Sequence, residues 1–305
     1  MCPEYKKILY EVNLENFPEI LPGSDRYNII KEFQSLFARL DYLPVKQQLT
    51  TGVTGSFGWN SGDGMDQQDI AEANRIITDL LERALTGTSF EQKFKTTFKG
   101  KLENYVECLN CGAKSSNQED FLDLLLTIKN WDGQVFQNVE QSLNFLMNPE
   151  LLSDDNKYSC DSCQQKTDAL KGQRISALPE ILTIGLNRFE LDYTTFERKK
   201  INNHYFFDLE LNMSKYVDFA IDDEDYLYDL QGVLVHRGSA YGGHYHCILR
   251  NVLGESRKIF DEGVPVFLNE DYLNIIEGKL GSSSAEPPKK FYSVWDSKGQ
   301  DQFGQ

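Results

Sequence analysis

Two cysteine pairs of identical spacing constrain this chain more than any other feature. Cys108-Leu-Asn-Cys111-Gly112 and Cys160-Asp-Ser-Cys163 each place two thiols on a tight turn, and two such turns suit one tetrahedral ion. A fold that satisfies them must bring the two turns together across the 48 residues between Cys111 and Cys160. That gap exceeds the usual finger spacing, yet loop-closure entropy grows only logarithmically with length, so a strand-filled insertion is tolerable. The runs flanking both pairs read as strands. Together they predict a zinc ribbon in which Cys108, Cys111, Cys160 and Cys163 hold one structural zinc. Four free thiols or a redox pair are the alternatives, and a catalytic zinc is disfavoured because four thiolates leave no open position.

The metal reading depends on a reducing compartment. The N-terminal Met1-Cys2-Pro3-Glu4-Tyr5-Lys6-Lys7 lacks the apolar region of a signal peptide, and no apolar run approaches the roughly 20 residues of a spanning helix. The chain therefore reads as cytosolic or nuclear, with no membrane role, and in those compartments paired cysteines point to metal before disulfides. Its 305 residues are 40 % hydrophobic and 26 % charged, the composition of a globular protein. A net charge of −16 repels phosphate backbones, and the longest basic cluster, Arg198-Lys199-Lys200, is too short to offset it, so nucleic acid is not an expected partner. The acidity serves either solubility or a basic partner, and composition does not decide between them.

Hydrophobic periodicity gives a coarse layout. Apolar residues recur at helical steps over Lys6 to Asn16, Tyr27 to Leu43 and Asp66 to Leu85, with a Gly/Thr/Ser/Asn-rich loop expected from Thr50 to Gly64. From Phe90 onward, Phe94 to Tyr105, Phe121 to Ile128, Ile181 to Phe189 and Tyr205 to Leu211 read as strands, interrupted by a helix over Val139 to Leu146. A second strand cluster comprises Asp229 to His236, Tyr245 to Val252, Lys258 to Phe260 and Phe291 to Trp295.

Gly238-Ser-Ala-Tyr-Gly242-Gly243-His244-Tyr245-His246 sets an imidazole beside two glycines at the start of a strand. The glycines permit a close backbone approach and the strand would hold the ring rigidly. His246 has the same strand parity as His244 and could replace it, though no glycines precede it. Downstream, Phe260-Asp261-Glu262-Gly263 ends a short strand with a carboxylate. Two neighbouring antiparallel strands would pair Asp261 with His244 as a base and its orienting acid, two thirds of a Cys-His-Asp arrangement.

In combination these motifs resemble the ubiquitin-specific proteases, papain-like deubiquitinases. The resemblance covers nearly the whole chain and rests on six boxes in the family's order. They are Ser56-Phe57-Gly58-Trp59 with Gln67 to Glu72, the two CxxC pairs, Gln118 to Leu124, Leu178-Pro179-Glu180-Ile181-Leu182 with Asn187-Arg188-Phe189, Gly242 to Tyr245, and Phe260-Asp261. It implies an α+β papain-like fold in a single domain over 1–305: a helical thumb over about 1–90, fingers with the zinc ribbon over about 91–190, and an antiparallel palm over about 191–305. It further implies His244 as general base, Asp261 as its orienting acid, and Asp69 and Glu72 facing the basic tail of ubiquitin, the expected partner. Carboxylates pair well with arginines of such a tail.

The family's nucleophile is missing from these residues. Cys2 to Tyr10 resembles the segment after the nucleophile helix, so the Gly-rich cysteine box is expected upstream of Met1. Cys2 precedes a proline with no glycine-rich turn, and Cys247, three residues after His244, points to the strand's other face. The sequence therefore supports two functions, a cysteine-type deubiquitinase without its nucleophile segment, or a non-catalytic ubiquitin-binding scaffold.

Overall fold

The computed structural model describes residues 3–43, 48–59, 70–217, 226–249, 258–261, 264–267 and 290–296. Helices α1 (Pro3–Glu11), α2 (Asp25–Tyr42), α3 (Thr51–Ser56), α4 (Ile70–Leu85) and α5 (Glu91–Phe98) come first. Strands β1 (Gly100–Cys108), β2 (Lys114–Phe121) and β3 (Leu124–Thr127) precede α6 (Val139–Met147). Then follow β4 (Glu150–Leu152), β5 (Tyr158–Cys160), β6 (Gln165–Thr167), β7 (Ala169–Ala177), β8 (Ile181–Asn187), β9 (Phe189–Asp192), β10 (Glu197–Lys200) and β11 (Glu210–Asn212). The chain ends in β12 (Leu227–Ser239), β13 (Gly242–Leu249), β14 (Lys258–Asp261), β15 (Val264–Phe267) and β16 (Phe291–Asp296). Helix and sheet are mixed, as expected. Two compact units result, Met1–Phe98 with Val233–Lys279 and Lys99–Gly232 with Leu280–Gln305, and β12 contributes residues to both.

The first unit starts from helices that bury one face each. Ser24 caps α2 by accepting from the Tyr27 N–H, and Ile29, Ile30, Phe33, Leu36 and Phe37 line its buried side at three- and four-residue steps. Gln34 on α2 donates to the Leu9 and Val12 carbonyls at 2.7 and 2.8 Å, satisfying orphan acceptors at the end of α1. Tyr5 stacks on Phe98 at 4.0 Å and bonds Thr78 of α4 at 2.6 Å. The β12 end of this unit continues into β13, β14 and β15 in that spatial order.

Two sequence expectations change here. Phe94 to Phe98 forms the end of α5 and not a strand: Phe94 and Phe98 are one helical turn apart and both buried, and Lys95 pairs with Glu91 at 2.7 Å across the same turn. Thr51 to Ser56 is helical within the expected loop, with Val53 buried and the Thr54 and Ser56 hydroxyls bonded back to carbonyls of the preceding turn.

In the second unit, β2-β1-β7-β4 form an antiparallel sheet. β2 is polar and exposed up to Phe121, which hides it from a search for alternating apolar residues. β3, β8 and β16 run parallel, with β8 between the other two. The long connection through α6 supplies the crossover that a parallel pair needs, and Ile181 to Leu186 are continuously buried, the pattern of a covered parallel strand. Tyr205 to Leu211 is a strand only from Glu210. Tyr205 instead turns inward to donate to Ser142 on α6 at 2.9 Å, and Phe206 bridges to the start of that helix.

Candidate functional site

The second unit carries the cysteine cluster on two hairpin turns. Cys108 closes β1 and Cys111 precedes Gly112, whose φ of +70° lets the chain reverse into β2. The reversal is held by Cys108 N–H to the Ala113 carbonyl and Gly112 N–H to the Cys108 carbonyl, both at 2.9 Å. Cys160 closes β5, and after Cys163 the residue in the left-handed region is Gln164, at φ +52°, before β6 begins. The two turns are tied by the Leu109 N–H to the Asp168 carbonyl at 2.9 Å.

The four sulfurs lie within 4.8 Å of one another, close enough to hold one metal ion. Across the turns, Cys108 and Cys163 are 3.8 Å apart and Cys111 and Cys160 are 3.7 Å apart. Cys108 and Cys160 are buried and Cys111 is exposed. The Thr167 hydroxyl foremost draws the Cys108 thiol down to about 6, helped against burial by the Cys111 and Asn110 backbone. Cys111 is pushed up to about 12, the Ala113 backbone hydrogen bond lowering it but being outweighed by Cys163, burial, Cys108 and Cys160. A divalent ion held by the four sulfurs would deprotonate them and override that balance.

In the first unit, His244 is the third residue of β13 and is exposed, while His246 on the same strand is buried. The approach of β12 and β13 explains the glycine at 243. A methyl at Gly243 would sit 2.5 Å from Nε2 of His236 and 2.9 Å from the Arg237 carbonyl carbon, and closer still to its oxygen. His236 is buried, with its ring 4.6 Å from that of Tyr245. β14 runs antiparallel to β13 with Cys247 opposite Phe260 and Ile248 opposite Ile259. One further step of that register brings position 261, the last residue of β14, level with position 246, two residues along β13 from His244.

The remaining residues fall as follows. Cys247 is half-buried, and burial pushes its thiol up, away from the reactive thiolate. Glu72 lies exposed in the first turn of α4. Asp69, like Cys2, lies outside the described residues. Sequence reading missed Thr167 and Asn110, which touch the cysteine sulfurs at 3.1 and 3.3 Å. Asn110 stands inside the first CxxC and could have been suspected, but nothing in the sequence marks Thr167.

No described helix is long and apolar enough to cross a membrane. Over residues 2–277 the chain matches the family described as ubiquitin carboxyl-terminal hydrolase. It is 35 % identical over 256 residues to ubiquitin carboxyl-terminal hydrolase 40 of Homo sapiens, covering 82 % of this chain and 20 % of that protein. Ubiquitin carboxyl-terminal hydrolase 47 of Homo sapiens is 31 % identical over 339 residues, covering 92 % of this chain and 24 % of its own length. Ubiquitin carboxyl-terminal hydrolase 15 of Schizosaccharomyces pombe is 31 % identical over 300 residues, with 95 % and 25 % covered. The chain thus spans a fifth to a quarter of the length of these curated relatives.

Proposed function

The chain belongs to the ubiquitin carboxyl-terminal hydrolase family, and from that premise we propose that it forms the ubiquitin-engaging, base-bearing part of a cysteine-type deubiquitinase. One observation carries the reading: Gly242-Gly243-His244 opens a strand hydrogen-bonded to β14, which ends on Asp261. In this reading a thiolate attacks the carbonyl of ubiquitin's own C-terminal glycine, breaking the bond to the amine that follows it. His244 then passes a proton to the departing amine while Asp261 orients its imidazole, and water cleaves the thioester to free the enzyme. Helices α1 to α4 are the thumb over about 1–90, the cysteine turns lie in fingers over about 91–190, and the palm follows over about 191–305. Glu72 and Asp69 would receive the basic tail of ubiquitin.

The metal in this reading is zinc. Four sulfur donors are its soft-ligand set, and ligands at about 2.3 Å in a tetrahedron stand about 3.8 Å apart, close to the cross-turn spacings. Cys108, Cys111, Cys160 and Cys163 would hold it, and it would stabilise the two turns without joining the reaction.

Among the described residues of its own unit His244 has no reactive thiolate beside it. The cysteine among those described residues is Cys247, three residues along His244's own strand with its thiol raised by burial. This favours, for the 305-residue chain by itself, binding of ubiquitin without cleavage. The test combines calorimetric titration with ubiquitin and incubation with ubiquitin carrying a C-terminal electrophile. Binding without a covalent adduct is the expected outcome, weakened by Glu72→Lys. An adduct on Cys2 or Cys247 overturns the non-cleaving reading, and no binding to folded, metal-loaded protein overturns the ubiquitin reading.

A further inference from the structure

We propose that Asn110 and Thr167 form a reciprocal hydrogen-bond clamp on the cysteine site, setting how tightly it holds its metal. Asn110 sits between the two cysteines of the first turn, and its Nδ2 donates to Sγ of Cys163 on the second turn at 3.3 Å. Thr167 ends β6, the strand that returns from the second turn, and its Oγ1 lies 3.1 Å from Sγ of Cys108 on the first. A metal-bound thiolate has no proton to give, so the threonine hydroxyl is the donor. Each turn therefore donates to a sulfur held by the other, and the two acceptor sulfurs are neighbours, 3.8 Å apart.

Four thiolates around a divalent ion leave a net charge of −2, which hydrogen bonds to sulfur spread over the surrounding protein. The clamp also couples the two turns, since neither can swing away from the ion without releasing a donor or an acceptor. Thr167 is only 6 % exposed, so water does not replace its hydroxyl when it is removed. Asn110 is exposed, water competes for its bond, and its contribution is the smaller one.

The clamp rests on the metal reading, and the experiment separates the two. The probes are zinc in competition with a coloured chelator, and cobalt(II), whose sulfur-to-metal charge-transfer band reports charge on sulfur. Both are applied to the full 305-residue chain. Thr167→Val is expected to weaken zinc about 100-fold and Asn110→Ala about 10-fold, the scale on which outer partners of metal ligands act. Thr167→Ser restores affinity. Asn110→Asp, the same size as asparagine, weakens binding more than alanine because a carboxylate then faces the thiolate. Removing either donor shifts the cobalt band to longer wavelength, a response that packing alone does not produce. Zinc affinities within about twofold of the parent and an unmoved band in Asn110→Ala and Asn110→Asp, which alter an exposed side chain, overturn the clamp. A parent chain that takes up neither metal overturns the metal reading and the clamp with it.

Discussion

Gly243→Ala is the most direct test of how the histidine strand is held. The added methyl would lie 2.5 Å from the His236 imidazole and 2.9 Å from the Arg237 carbonyl carbon, whereas ordinary contacts of this kind need about 3.4 Å. One obstacle is the backbone of β12 and the other a buried ring, so neither can swing aside. β13 must retreat by about 1 Å, enough to stretch a ladder hydrogen bond of about 2.9 Å beyond its useful range. Losing one or two such bonds at about 1 kcal/mol each, plus the repacking around His236, puts the cost at about 2–4 kcal/mol. The neighbouring Gly238, at φ +136°, already approaches Gly243 closely and offers no slack. Thermal melts and amide hydrogen exchange should show lower stability and faster exchange in β12 and β13. Gly55→Ala in α3, where the methyl meets nothing within 4 Å, serves as the neutral control. A Gly243→Ala chain within about 0.5 kcal/mol of the parent, with unchanged exchange, would refute the close-approach reasoning.

Three further outcomes are expected. Arg188 is fully buried and its Nη1 donates to the Ile201 and Asn203 carbonyls at 3.0 and 2.8 Å. Arg188→Met strips two charge-assisted bonds and should cost about 3–5 kcal/mol in denaturant unfolding, with a much smaller loss speaking against a structural role. Arg174, 2.5 Å from Glu103, foremost holds the Glu103 carboxyl at about 2 against an ordinary 4.5, so its contribution is complete above pH 4.5 and lost as pH falls towards 2. Glu103→Gln should flatten acid unfolding in that window, and an unchanged acid profile would contradict the pairing. Cys160→Ser removes one of four sulfurs and should empty the site, costing about 4 kcal/mol wherever free metal stands 1,000-fold above the parent's dissociation constant. Metal content by atomic emission checks it.

What the sequence made legible was what physical spacing encodes. The helical steps of Ile29, Ile30, Phe33 and Phe37 located α2 to within two residues, and the CxxC turns foretold the convergence of Cys108, Cys111, Cys160 and Cys163. The reading failed where one residue type serves two periods: Phe94 and Phe98 are apolar and aromatic, which favours strand by composition, yet their four-residue spacing and the Glu91–Lys95 pair decide for helix. It also failed at β2, whose polar residues hide an edge strand defined only by its pairing with β1. Thr167 was beyond reach because its role depends on which strand returns beside Cys108, a fact of tertiary structure. Likewise the antiparallel run of β13 and β14 was foreseeable, but the pairing that sets Cys247 opposite Phe260 emerges only from the folded ladder.

The division of the chain has a consequence for its birth on the ribosome. The first unit draws on Met1–Phe98 and again on Val233–Lys279, so its helices emerge long before the strands that belong with them. At about 5–20 residues per second, synthesis from α5 to the end of β14 takes about 10–30 s. During that interval α1 to α5 lack the strands of their own unit, which leaves time for chaperones and for wrong partners. Strand β16 imposes a second delay, because its place along β8 is filled only about 100 residues after β8 has been made. Slowing or pausing synthesis between residues 99 and 232 should therefore lower the yield of folded protein more than the same pause placed after residue 296.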